Sequence, residues 1–170
     1  MTEKREVWEL YDRNRMKTGE TAFRGDRIKQ GRYHLVVHVW IRNEKNQYLI
    51  SKRTPNKSYP NLWETVGGSA LVGDDSLMAA LREVKEEIGI SLDCEKGKVI
   101  HSIKRDDDYC SHILDVWLFS DDSDICDVVY QKEEVCDAKW AYKEEIYDMI
   151  EKKTFVNVFD YIEKVFMLER

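Results

Sequence analysis

The stretch Gly67–Ile90, GGSALVGDDSLMAALREVKEEIGI, constrains this chain more than any other. Its second half, Ser76–Ile88, is predicted to form one helix. Leu77, Ala80, Leu81, Val84 and Ile88 recur at helical spacing and make one apolar stripe. Asp75 or Ser76 can cap the N-terminus, and Gly89 stands where a C-terminal cap glycine belongs. On the polar side, Glu83, Glu86 and Glu87 share an arc of ~100°. Like charges at these spacings destabilise a bare helix. A bound cation removes that cost. Hard divalent ions such as Mg²⁺ take carboxylate oxygens and keep water positions open for substrate phosphates. A glutamate-rich helix face is often only a solvated surface, so the three acids alone decide little.

The wider spacing decides more. Gly68, Arg82, Glu83, Val84, Glu86, Glu87, Gly89 and Ile90 stand in the register G-x5-E-x7-R-E-U-x-E-E-x-G-U, with U aliphatic. That register resembles the Nudix box. One position departs from it: Asp74 stands where the pattern has its first glutamate, one methylene shorter. The resemblance implies an α/β fold, the Nudix α/β/α sandwich with a mixed β-sheet between helices. It also implies hydrolysis of the pyrophosphate bond in a nucleoside diphosphate linked to a further group, X. The implied cofactor is Mg²⁺, with Mn²⁺ as a substitute.

The same resemblance distributes roles. Glu83, Glu86 and Glu87 are the expected metal ligands. Gly67 and Gly68 let the backbone pass close to the ion, so a carbonyl there can join them. Glu134, or its neighbour Glu133, is the candidate for an additional acid from a downstream loop. Glu83, Glu86 and Arg82 form the expected catalytic set, with Arg82 orienting the carboxylates and the box loop. One of the glutamates, or a carboxylate from a later loop, would be the general base. Arg53 and Lys57 can meet anionic phosphates, with solvated surface charge as the equal alternative.

The flanking chain fits one domain over 1–170, with residues 1–31 as an N-terminal hairpin laid on it. Val7–Tyr11 is a predicted strand, Asp12–Gly19 a turn-rich segment, and Thr21–Ile28 the returning partner. Tyr33–Ile41 is predicted as a central strand. Leu35, Val37, Val39 and Ile41 point one way; His34, Val36, His38 and Trp40 point the other. Two histidines on one strand face suggest a metal, but partly buried, hydrogen-bonded histidines are the commoner case. Further strands are expected at Gln47–Ser51, Lys98–Lys104, Ser111–Phe119 and Glu134–Ala141. Helices are expected at Tyr142–Ile150 and Phe155–Leu168, the latter with Phe155, Val158, Phe159, Ile162, Val165 and Phe166 on one side.

Charge and composition exclude some classes. The net charge of −6 weighs against a nucleic-acid surface. No apolar run reaches membrane-spanning length, and MTEKREVWEL lacks a signal peptide's apolar core. Cys94, Cys110, Cys126 and Cys136 form no CxxC pair and are expected as reduced thiols of a cytoplasmic protein. The expected partner is a small-molecule diphosphate, and a homodimer is possible. Two alternatives stand beside the hydrolase. His34–Ile41, Lys52-Arg53, Lys57 and Trp63 resemble the Nudix branch that includes isopentenyl-diphosphate isomerases. Those enzymes need a cysteine entering the box and a histidine just after it, and Thr65-Val66-Gly67-Gly68-Ser69 has neither. The other alternative is a regulatory module that binds a ligand without turnover. Asp74 is the only box departure in its favour, and Asp74 keeps the charge.

Overall fold

The structure, a computed structural model, describes residues 5–156 and 160–168. Strands β1 (Val7–Tyr11) and β2 (Lys17–Phe23) form an antiparallel hairpin. The second strand begins earlier than expected. The Asp12 carboxylate accepts the amides of Asn14 and Met16 at 2.8 and 2.9 Å, so the turn closes within five residues. Extended backbone then resumes at Lys17.

The main sheet has seven strands. They are β3 (His34–Arg42), β4 (Tyr48–Arg53), β5 (Trp63–Glu64), β6 (Val66–Ser69), β7 (Gly97–Arg105), β8 (His112–Ser120) and β9 (Val135–Ala141). The centre is β3, which runs parallel to β8 over nine residue pairs and antiparallel to β6. All other pairings are antiparallel, so the sheet is mixed.

Period-two alternation along β3 and β8 divides the core. Leu35, Val37, Val39 and Ile41 face helix α1 (Ser76–Ile88), together with Ile113, Trp117 and Phe119. Trp40, Leu114, Val116 and Leu118 face the opposite layer. That layer holds helices α2 (Lys143–Glu151) and α3 (Ile162–Phe166). Helices therefore lie on both faces of a mixed sheet, the expected α/β/α sandwich. No helix among the described residues is long and apolar enough to cross a membrane.

Two expectations need correction. The last helix does not begin at Phe155. That residue makes a parallel bridge to Trp63, with Val156 N–H donating to Trp63 O at 2.8 Å, which requires extended backbone. Helix α3 is confined to Ile162–Phe166, and Val158 and Phe159 lie outside the described residues. The stripe of α1 is also redistributed. Ala79, Ala80, Val84 and Ile88 are buried, whereas Leu77 and Leu81 are only half-buried. Small alanines face the sheet, and the longer leucines flank the contact.

Candidate active site

Helix α1 is capped as its sequence requires. Of the two N-cap candidates, Asp75 serves: its side chain accepts Met78 N–H at 2.8 Å. Gly89 ends the helix in the left-handed conformation at φ 75°, with its N–H bonded to Lys85 O. These ends set which residues face the sheet, and hence where the glutamates fall.

The three glutamates differ in environment. Glu87 is buried, and its Oε2 has no hydrogen-bond partner. Glu83 is sheltered, with 13% of its side chain exposed, while Glu86 is open at 53%. The Glu83 carboxylate occupies the space that a side chain at Gly68 would fill. A Cβ at Gly67 would stand 2.7 Å from Val37 O and 2.9 Å from His38 Cδ2. The two glycines therefore let strand β6 lie against both β3 and the box carboxylate.

Arg82 ties the loop to the helix. Its Nη1 donates to Glu83 Oε1 at 2.9 Å and to Glu86 Oε2 at 3.1 Å. Its Nη2 donates to Asp74 Oδ2 at 2.9 Å and to Ser69 O at 3.0 Å, and its Nε to Asp74 Oδ2 at 3.1 Å. Asp74 also accepts Leu71 N–H at 3.1 Å. The shorter acid at this position thus still reaches the arginine and closes the loop.

A second group of charges lies beside Glu87. Arg53 Nη1 donates to both Glu64 oxygens, and Lys57 pairs with Glu134. The segment carrying Glu134 is anchored on both sides. Gln131 N–H donates to Glu87 O at 2.9 Å, and Thr54 N–H to Glu134 O at 3.1 Å. Arg53 and Lys57 therefore face carboxylates of their own chain. Glu64 escaped the sequence reading. Counting back by two from Gly68 through Val66 reaches Glu64 on the same side, and that alternation is the signal that could have found it.

Burial governs the electrostatics. It pushes the Glu87 carboxyl well above the usual carboxylate range, and Glu64 and Glu83 add to the rise. Glu83 is raised by burial against the opposing pull of Arg82. Glu64 is raised by burial against Arg53. Lys57 is lowered by burial and by Arg53. Protons or cations are thus favoured among these acids. Among the described residues, no three carboxylate, histidine or cysteine groups converge closely enough to hold a metal ion as they stand. Arg82 and Lys57 supply the positive charge instead.

The other candidates lie apart. His34 stacks on Trp8 with ring centroids 4.2 Å apart, and its Nε2 is 3.4 Å from Cys110 Sγ. His38 Nδ1 is 2.6 Å from the Tyr161 hydroxyl. A cavity of about 1030 Å³ is lined by Arg13, Arg27, Lys29 and Tyr33, and one of about 920 Å³ by Arg42, Lys96 and Asp122. Neither is lined by a box residue. Of the box carboxylates only Glu86 is open to solvent, and all three lie outside both cavities.

A mixed sheet between helices, with this glycine–arginine–glutamate geometry at the β6–α1 junction, defines the Nudix class. The chain belongs to the Nudix family: the NUDIX domain matches residues 32–159. As a Nudix hydrolase it acts on pyrophosphate bonds. It is 39% identical over 166 residues to an uncharacterized Nudix hydrolase of Listeria monocytogenes, covering 96% of this chain and 95% of that protein. A counterpart in Listeria innocua is 37% identical over the same coverage. The crystal structure of DR0079 from Deinococcus radiodurans shares the fold at a TM-score of 0.74 and 22% identity, covering 97% of this chain and 100% of that one. The NUDIX domain of Shewanella oneidensis NrtR, solved with ADP ribose, superposes at a TM-score of 0.62 and 17% identity, covering 78% and 86%.

Proposed function

We propose that this protein hydrolyses a nucleoside diphosphate linked to a further group, with Mg²⁺, or Mn²⁺ in its place, held by the box carboxylates. The observation that carries the reading is Glu87, a buried acid with one oxygen lacking any partner, beside a second sheltered acid, Glu83. An unsatisfied buried carboxylate is costly, and a hard cation is the partner that both oxygens suit. Glu83, Glu86 and Glu87 would hold the ion, joined by a backbone carbonyl of Gly67 or Gly68. When bound, the ion would neutralise diphosphate charge and lower the pKa of a bound water.

The remaining work falls to the chain. Glu86, the exposed member, is assigned to take the proton from the attacking water. The water oxygen bonds to phosphorus as the bridging P–O bond breaks, and the departing phosphate carries away that electron pair. Arg82 orients Glu83 and Glu86 and has no assigned contact with substrate. Glu134 is the additional acid from the downstream segment. Arg53 and Lys57 line the diphosphate side, where an incoming phosphate competes with Glu134 for Lys57. In this reading residues 1–170 act as one cytoplasmic domain on a small molecule, not on nucleic acid, and a homodimer is the assembly to look for.

The test is a panel of diphosphate substrates, including ADP-ribose and nucleotide sugars, assayed with Mg²⁺, with Mn²⁺ and with chelator. Release of a nucleoside monophosphate that depends on the ion is the expected result. Binding of panel members without turnover would favour a regulatory module. Interconversion of isopentenyl and dimethylallyl diphosphate, which the box entrance lacks the cysteine to perform, would favour an isomerase.

A further inference from the structure

The N-terminal hairpin lies outside residues 32–159, the part matched by the family. Yet it reaches the box directly at one place and through β8 at another. Val72 N–H, in the box loop, donates to Val7 O at 2.9 Å. At the other end Arg15, at the β1–β2 turn, extends to Asp115 on β8. Arg15 Nη1 donates to Asp115 Oδ1 at 2.7 Å, and Nη2 pairs with Oδ2. Asp115 is fully buried on the sheet face that α1 covers.

The same carboxylate holds the start of the box helix. Ser76, the first residue of α1, donates its hydroxyl to Asp115 Oδ2, and Trp117 Nε1 donates to the Ser76 oxygen at 2.9 Å. Ser102 on β7 completes the ring, at 2.7 Å from Asp115 Oδ1 and 3.1 Å from Arg15 Nη1. Burial alone would raise the Asp115 carboxyl. The hydrogen bonds from Arg15, Ser76 and Ser102 outweigh it and hold the group below its ordinary value. Arg15 itself adopts φ 64°, a left-handed conformation that a non-glycine residue keeps when its surroundings demand it.

We propose that Arg15 is a positioning residue of the hydrolase: through Asp115 and Ser76 it fixes the N-terminus of α1, and so the placement of Glu83, Glu86 and Glu87. The hairpin is then part of the catalytic scaffold. The inference rests on the metal-site reading above, because the carboxylates matter only if they hold the ion.

The test uses the full chain with Ser76→Ala, Arg15→Lys and the pair Arg15→Met/Asp115→Asn. The double variant avoids a bare buried charge and is the one that keeps its fold if the single arginine change does not. Each is followed by thermal melting, kcat and KM, Mn²⁺ binding by electron paramagnetic resonance, and hydrogen exchange of the α1 amides. The expected result is a kcat lowered on the order of 10-fold with KM nearly unchanged in the double variant, since small misplacement of catalytic groups is costly. Weaker Mn²⁺ binding and faster α1 exchange should accompany it at a melting temperature near the parent's. Arg15→Lys should recover part of each loss, and Ser76→Ala should show the same signature with the ion pair intact. Folded variants with parental kcat, Mn²⁺ affinity and α1 exchange would overturn the proposal. If the parent neither turns over a panel substrate nor binds Mn²⁺, the metal-site reading fails. Hydrogen exchange then still reports whether Arg15 orders α1.

Discussion

Arg53 Nη1 lies 2.9 Å from Glu64 Oε1 and 2.7 Å from Glu64 Oε2, a single nitrogen shared between both oxygens of one carboxylate. Its Nε donates to Ser58 O at 2.6 Å and its Nη2 to Ser58 Oγ at 3.1 Å. The guanidinium thus joins β5 to the loop after β4 and has little hydrogen-bonding capacity to spare. Both side chains are sheltered, at 15% and 17% exposure, so solvent screens the pair only partly. Arg53→Lys keeps the charge and loses the fork. The expected outcome is a loss of about 1.5–3 kcal/mol in stability, the range for hydrogen bonds to charged groups. Urea denaturation measures it, and KM reports separately whether Arg53 also meets the substrate.

Glu86→Gln and Glu87→Gln separate a metal platform from a solvated face. Each keeps size while removing a negative charge. Without metal, both should be as stable as the parent or more so, and Glu87→Gln should gain the more because its charge is buried. With metal and a substrate in hand, kcat/KM should fall on the order of 10²-fold, equivalent to ~2.7 kcal/mol at the transition state. Full activity with unchanged metal dependence in both variants would remove these residues from the site.

The redistribution of the α1 stripe ranks its core substitutions. Ile88 is fully buried against the sheet, whereas Leu81 is half-buried. Ile88→Ala should cost about 2–5 kcal/mol. Leu81→Ala should cost less, because its side chain already meets solvent. Equilibrium unfolding of the two variants checks the order, and a larger loss for Leu81→Ala would contradict the packing.

Acid should loosen the hairpin's seat through His34. Burial against Trp8 lowers this imidazole to about 3, and His112 adds to the shift. The folded protein therefore holds His34 neutral where the unfolded chain would protonate it. The stabilisation is fully present above pH 6.5 and is lost progressively as pH falls toward about 3. His34→Gln should flatten that part of the stability–pH curve. Denaturant titrations at stepped pH, followed by tryptophan fluorescence, measure the slope.

Much of this architecture was legible in the sequence because its signals are local. The caps of α1, the alternation along β3 and β8, and the box register each lie within a few residues of one another. What escaped depends on partners distant in the chain. Phe155 has helical spacing with its neighbours, but its bridge to Trp63 overrides that pattern. Arg53 and Lys57 read as free cations until the fold brings Glu64 and Glu134 to them. Asp115 lies among apolar residues in the sequence, and its partner Arg15 is 100 positions away. Leu77 and Leu81 share the helical spacing of the stripe yet stay half-buried, because close helix–sheet contact favours the smaller Ala79 and Ala80.

The parallel register of β3 with β8 bears on how the protein reaches its native state. It matches His34 with His112 and Arg42 with Ser120, residues roughly 80 positions apart, so this seam cannot zip from a hairpin. Closing so long a loop carries an entropic cost before any contact rewards it. Helix α1 lies within that loop in sequence and covers β3 in space. Late closure of the β3–β8 seam would leave the apolar edge of β3 exposed during refolding, at the stage when chains most readily associate with one another.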